Sequence, residues 1–461
     1  MLVYLIATAL ACADPRTFGA VPNDGSPDEK AIQAAIDSAM AGSHEVCIPS
    51  GVWNLSKSAR ASLRITGGPL RFYGAGPSTI LRMTGDGGRG DWYGIDLRRA
   101  HDIELRDFTM DALATFNTEE QTHLIQLAPG ARDSVLTNLV LGPMRRDDQL
   151  VGAGAGGDCV RLLGEPTDPV ERITITQSRF VNCDRSGISL QRAVRRVEIS
   201  HLDIVGTGDS PIDFEPTAPG PIAYVTMSDL FIDRTADAQG SFSIAIAGHG
   251  PDVADHIVVK NCILQGGGVS ILNASNVNIA DNDINVGRKP GATIFMHRRA
   301  TNITITRNVL NRREHAPAGP MIAASHNNGF APRNVKIIEN QMRQETSAPM
   351  IELQSATEIE VVHNQVQYAG QDVTQPLVWA RSVIAAVGGV TIRRNSVRGR
   401  IGALLVVAAG KQPLGKIEVT HNTGDEVTAT VQCAGDDQAR QARINVGNNH
   451  VGTARNLCEP E

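Results

Sequence analysis

The stretch GDSPIDFEPT (208–217) sets two carboxylates, Asp213 and Glu215, two positions apart in an apolar frame, with Asp209 just before them. On a strand, residues i and i+2 point to one side about 7 Å apart. Inverting glycosidases separate acid from base by roughly 6.5–9.5 Å so that a water fits between them. One carboxyl would protonate the leaving oxygen while the other activates water. The competing readings are solvated carboxylates on an exposed face, or a calcium site that holds an anionic substrate. Arg161, in GDCVRLL (157–163), would clamp a uronate carboxylate or act as the base of a β-elimination; its plain alternative is a surface ion pair. Asp158, Ser189, Gln191 and His297 complete the expected substrate-binding set. The string VGAGAGG (151–157) has the spacing of a dinucleotide-binding loop, but a strand rather than a helix follows it. A loop over the groove is the expectation there.

These residues need a scaffold, and a recurring phrase supplies it. From residue 103 the pattern apolar-x-apolar-x-polar-(Asn or apolar)-x-apolar returns as IELRDFTM, ITITQSRF (173), VEISHLDI (197), VTMSDLFI (225), IVVKNCIL (257), VNIADNDI (277) and onward to INVGNNHV (444). With a looser copy at 134–141 there are thirteen copies, 20 to 39 residues apart and about 28 on average. Period-two alternation marks strands with one buried face, and no usable helical pattern intervenes. Strands that repeat at such a period bury their apolar side chains against their own copies. The expected fold is therefore all-β, a right-handed parallel β-helix of about thirteen rungs forming one domain over 14–461. The sixth phrase position is Phe108, Leu139, Ser178, Leu202, Leu230 and Cys262, then Asn282, Asn308, Asn340, Asn364, Asn395, Asn422 and Asn449. Asparagine tolerates left-handed backbone and hydrogen-bonds main chain, so the seven are expected to stack as an amide ladder at one bend.

A second strand accompanies each rung, with inward pairs such as Ile95/Leu97, Val160/Leu162, Ile188/Leu190, Ile212/Phe214, Ile244/Ile246, Ile294/Met296 and Ile351/Leu353. Alternation then turns Asp96, Gln126, Arg161, Ser189, Gln191, Asp213, Glu215, Phe295, His297, Glu352, Trp379 and Arg381 outward, a face suited to a sugar chain.

Composition agrees with this scaffold. Aromatics are only 4% of the chain against 45 Gly, which favours short strands and tight turns over helical bundles. The net charge of −6, from 43 basic and 49 acidic residues without blocks, leaves no footprint for nucleic acid or an anionic membrane. The first thirteen residues, MLVYLIATALACA, read as a signal peptide cleaved after Ala11-Cys12-Ala13, or as a lipoprotein leader ending at Cys12; the run is too short to span a membrane. Export to the periplasm or the medium is expected. Of the remaining cysteines, Cys433 and Cys458 are the preferred disulfide, against buried thiols filling the core.

Residues 26–40 would cap the open end of the solenoid, with Ser26-Pro27-Asp28-Glu29 as a capping box and Ile32, Ala35, Ile36 and Ala39 on one stripe. Here the chain resembles a known group. FGAVPNDGSPDEKAIQAAIDSA (18–39), VCIPSGVWNL (46–55) and LRFYGAGPSTIL (70–81) are similar to the opening of the pectate-lyase-like superfamily, which includes polygalacturonases, uronate lyases, epimerases and phage tailspikes. The resemblance implies the β-helix and a polysaccharide partner. It also implies a role for His249 in Gly248-His249-Gly250, similar to the polygalacturonase motif that positions the catalytic carboxylates, although here the string follows a strand rather than leading into one. The polygalacturonase Asn-Thr-Asp and Arg-Ile-Lys signatures are missing in their expected arrangement, as is the Asp-Pro-His of alginate epimerases. A secreted glycoside hydrolase without a cofactor is the leading expectation. A calcium-assisted lyase, an epimerase and a non-catalytic adhesin or tailspike-like binder stand beside it, and the oligomeric state stays open.

Overall fold

A computed structural model describes residues 12–451 except 58–59, 87–90, 117–121, 145–156, 217–219, 236–241, 247–252, 288–290, 314–315, 328, 370–374, 384–386, 409–413 and 435–442. All thirteen phrases lie on strands, and the chain is a right-handed parallel β-helix with one N-terminal helix. It divides into two compact units, Met1–Ile188 and Ser189–Glu461.

In the second unit the first apolar position of nine successive phrases forms one registered column, Val197, Val225, Ile257, Val277, Ile303, Val335, Ile359, Val390 and Ile417, which the half-buried Ile444 continues. None of the nine is more than 2% exposed. Apolar branched side chains stacked at the interstrand spacing bury one another, so a phrase with no partner within its own rung is stabilised by its copies. In the first unit Glu45–Ile48, Leu70–Gly74, Ile103–Phe116, Arg132–Leu141 and Val170–Val181 stack the same way.

The asparagines form the expected ladder. Nδ2 of Asn282, Asn308, Asn340, Asn364, Asn395 and Asn422 each donates to Oδ1 of the next, at 2.9 to 3.0 Å. The left-handed residue, however, is not the asparagine but its predecessor: Asp281, Arg307, Glu339, His363, Arg394, His421 and Asn448 have φ between 53° and 59°. The corner is made one residue early, which swings the amide inward beneath it. Each left-handed non-glycine costs about 1–2 kcal/mol, and the ladder's hydrogen bonds hold the chain there. Ser178 does the same work in the first unit, its Oγ accepting from Leu139 N at 3.0 Å.

The cap is a helix, Glu29–Ala41, with Ile32, Ala35, Ile36 and Ala39 buried as expected. The capping box is not formed. Asp28 is the N-cap and makes no side-chain cap bond; its carboxylate accepts from Val21 N and Asn54 N, and Glu29 turns to Ser56. These two acids tie the helix to the first strands instead of closing its own first turn. Cys12 is bonded to Cys47, and Ala13 N donates to Glu45 O at 2.8 Å, so residues 12 and 13 are woven into the first rung. A cleavage after Ala13 would remove one partner of that disulfide. Cys159 pairs with Cys183, a bond the spacing did not reveal, and Cys262 is a buried thiol. Cys433 is disulfide-bonded, while Cys458 lies outside the described residues.

Candidate functional site

In the second unit the strand Ile212–Glu215 alternates as expected: Ile212 and Phe214 are buried, and Asp213 and Glu215 face outward, half-buried. Gln191 lies beside them, its Nε2 donating to Glu215 Oε2 at 2.6 Å. This contact holds the Glu215 side chain in place on the outward face. Asp209 is exposed but turned back on its own loop, with Oδ1 accepting from Ser210 N at 2.8 Å. Ser189 is fully buried, so it does not reach the face. His249 and the Gly-His-Gly string lie outside the described residues.

Register carries the Asp213 position along the sheet. Ala245, Ser270, Phe295, Ala323, Glu352, Trp379 and Val406 follow it rung by rung. The sequence reading had not assigned the rungs of Val269/Ile271 and Ile322/Ala324, whose outward residues are the small Ser270 and Ala323. Between Asp213 and Phe295, three strand spacings or roughly 14 Å apart, the column carries only Ala245 and Ser270, and Ser270 is buried. Phe295 is parallel to Phe242, with centroids 6.3 Å apart, and His297 sits 5.0 Å from Phe295. Burial lowers the His297 pKa, with Arg298 and His326 adding to the effect, so the ring is a neutral, aromatic part of the platform at ordinary pH. Farther along, Gln354 bonds Glu352, and Trp379 and Arg381 complete the outward set.

The first unit differs from expectation. Its outward column Asp96, Gln126, Arg161 is in register but buried, each residue 8% exposed or less. Gln126 donates to Asp96 Oδ1 at 3.3 Å, and burial raises the Asp96 pKa. Asp158 is not a groove residue. Fully buried, it takes Arg185 on both oxygens at 2.9 and 3.0 Å and Ser186 N at 3.1 Å. Arg161 is likewise no surface ion pair: its Nη1 lies 3.2 Å from Nε2 of His123, and burial depresses its pKa.

His123 was not anticipated, although a signal existed. It and Tyr93 occupy positions of inward parity, two before Ile125 and Ile95, where a polar residue needs partners. The rings stack at 5.8 Å. Asp158 N lies 2.9 Å from His123 Nδ1 and Arg161 Nη1 lies 3.2 Å from Nε2; a neutral ring has one accepting nitrogen, so it accepts from one of these two donors. Burial pushes the His123 pKa down to about 3, with Arg161 and Arg185 lowering it further against the pull of Asp158. The cluster is a neutral histidine held inside an Asp–Arg frame. Among the described residues no three His, Cys, Asp or Glu converge to hold a metal ion, and no helix is long and apolar enough to cross a membrane.

Comparison with known proteins places this geometry in context. A family model described as "Right handed beta helix region" matches residues 168–366, while no curated protein sequence matches. Among solved structures the chain is similar to PfbA, a surface adhesin of Streptococcus pneumoniae, at 13% identity and TM-score 0.55, covering 93% of each chain. It is also similar to the pre-mature form of bacteriophage phi29 gene product 12, at 12% and 0.53, covering 95% of this chain and 72% of that one. A third is the catalytic unit of a thermostable GH87 alpha-1,3-glucanase from Streptomyces thermodiastaticus, at 13% and 0.50, with 98% and 71% covered. At these identities the likeness carries the fold alone.

Proposed function

We propose that this chain, a right-handed β-helix of the pectate-lyase-like superfamily, is an exported, polysaccharide-active enzyme that cleaves glycosidic bonds with Asp213 and Glu215. The observation that carries the reading is the Asp213–Glu215 strand, with Glu215 held by Gln191 and Phe295 in the same registered column. In this reading Glu215, positioned by Gln191, takes the proton of the attacking water. Asp213, on the same face about 7 Å away, protonates the leaving oxygen. Phe242, Phe295 and Trp379 offer apolar surface to sugar rings, and Arg381 offers a charged donor to a uronate carboxylate. A polymeric substrate suits a face that repeats along the rungs.

The test is turnover of a panel of uronate and neutral glycans, read both as new reducing ends and as absorbance near 235 nm. Hydrolysis gives the first without the second, and a lyase gives both. Asp213→Asn and Glu215→Gln are each expected to lower turnover about 10²–10⁴-fold with the melting temperature unchanged, since both side chains face outward. Full activity in both variants, or unsaturated product, refutes the hydrolytic assignment. Binding without turnover identifies an adhesin-like role, and activity abolished by a chelator identifies a calcium-assisted one.

A further inference from the structure

The strands that follow the asparagine ladder form another outward face, and it carries a groove that shares no residue with the Asp213 column. Val309–Arg312, Gln341–Gln344, Gln365–Tyr368 and the start of Ser396–Ala408 pair in parallel, which puts Asn311, Arg343, Gln367 and Arg398 in one column. Gln341 and Gln365 stand in the neighbouring column. Together they line a groove of about 410 Å³ whose walls include two arginines and no carboxylate. Outside the groove Arg307 pairs with Asp281 at 2.7 Å and Arg333 with Glu358 at 2.7 Å. In the groove Arg343 is braced from outside by Glu345 at 2.9 Å. Arg398, Gln341, Gln365 and Gln367 are exposed and make no side-chain hydrogen bond or ion pair among the described residues.

We infer that this groove binds an extended anionic glycan, a uronate polymer lying along the rungs. Amide side chains both donate and accept, which matches sugar hydroxyls, and guanidinium groups pair with carboxylates through two parallel hydrogen bonds. Arg343 and Arg398 are two strand spacings apart, roughly 10 Å, with Gln367 between them. That places a cation at every second rung and an amide at the rung between, the alternation expected for a chain with carboxylates two sugars apart. The groove is independent of the catalytic reading, because none of its residues lies on the Asp213 strand or its column. It would hold a polymer whether or not the enzyme cuts it.

Affinity electrophoresis of the full chain through gels containing polygalacturonate, alginate, dextran or dextran sulfate tests this. Retardation by polygalacturonate or alginate is expected, none by dextran, and at least about a tenfold weakening in Arg343→Ala/Arg398→Ala. Asp213→Asn should be retarded like the wild type even if it is inactive, which separates this site from the cleavage assignment. Arg398→Lys, which keeps the charge but not the fork, is expected to fall between. The inference is overturned by wild-type mobility unchanged in every gel, by unimpaired binding in the double alanine variant, or by retardation in dextran sulfate alone. A concentration-dependent dimer lost in the double variant would make the groove an interface between copies and would overturn it equally.

Discussion

Replacing Asn340 by alanine tests whether the amide ladder stabilises the second unit. Asn340 is fully buried; its Oδ1 accepts from Asn308 N and Nδ2 at 2.9 and 3.0 Å. Its Nδ2 donates to Ile305 O, Ile338 O and Asn364 Oδ1 at 2.9, 3.1 and 3.0 Å. Alanine removes all five contacts, but they do not weigh equally. Asn308 Nδ2 keeps Ile279 O and Thr306 O, and Asn364 Oδ1 keeps the Asn340 backbone N–H. The Asn308 N–H is left without its acceptor, and the Ile305 carbonyl loses a donor. An unmet buried polar group costs about 1–3 kcal/mol, and the vacated volume adds to it, so the loss should be about 3–5 kcal/mol. Asn340→Leu fills the volume but leaves the same orphans, so a similar loss is expected from it. Asn449, half-exposed at the end of the ladder, is open to water, and Asn449→Ala should cost only about 1 kcal/mol. Urea unfolding measures the totals, and hydrogen exchange at the Asn308 amide locates the effect. A loss below about 1 kcal/mol at position 340, or an equal loss at 449, would show that stacked apolar side chains alone hold the rungs.

Two further outcomes are expected. The His123 pKa is lowered from 6.5 to about 3, so the unfolded chain takes up this proton before the folded one does. Stability is then complete above about pH 6.5 and is lost as pH falls toward 3, by up to about 1.4 kcal/mol per pH unit. His123→Gln should flatten that slope in melting curves taken across this range, and parallel slopes would exclude the buried neutral ring. Non-reducing peptide maps of the mature protein should recover Cys12 joined to Cys47 and Cys159 joined to Cys183; the second bond closes a sequence separation of 24 and is worth roughly 3–4 kcal/mol. Cys47 found as a free thiol would mean that the leader is cut beyond Cys12.

What could be read in advance was whatever repeats. Val197, Val225 and Ile257 announce the core because the same apolar position returns in each phrase, and the asparagines announce a turn for the same reason. Single occurrences were harder. Cys159 and Cys183 lie in different rungs, and their pairing depends on loop lengths that no periodicity constrains. Arg161, expected in the groove together with Asp158, does have outward parity, yet parity says which way a side chain leaves the strand and not what covers it. Arg185, from a segment with no repeat of its own, supplies the counter-charge that makes burying Asp158 tolerable.

The same distinction explains where chemistry can arise on such a scaffold. An inward position must match its copies above and below, so a polar residue there needs partners close at hand, as His123 has in Tyr93, Asp158 and Arg161. An outward position that stays uncovered answers to no such demand, and register converts independent choices along the sequence into a line in space. Asp213 and Phe295 are 82 residues apart in number but three strands apart in the sheet, and Arg343 and Arg398 are 55 apart in number but two strands apart. A substrate that is itself a linear repeat meets such a line at regular intervals, so each outward column can be tuned one rung at a time without disturbing the core. Carboxylates and aromatics in one column and amides with arginines in another are two such tunings, and the loss of either by outward-facing substitution should leave the other, and the fold, intact.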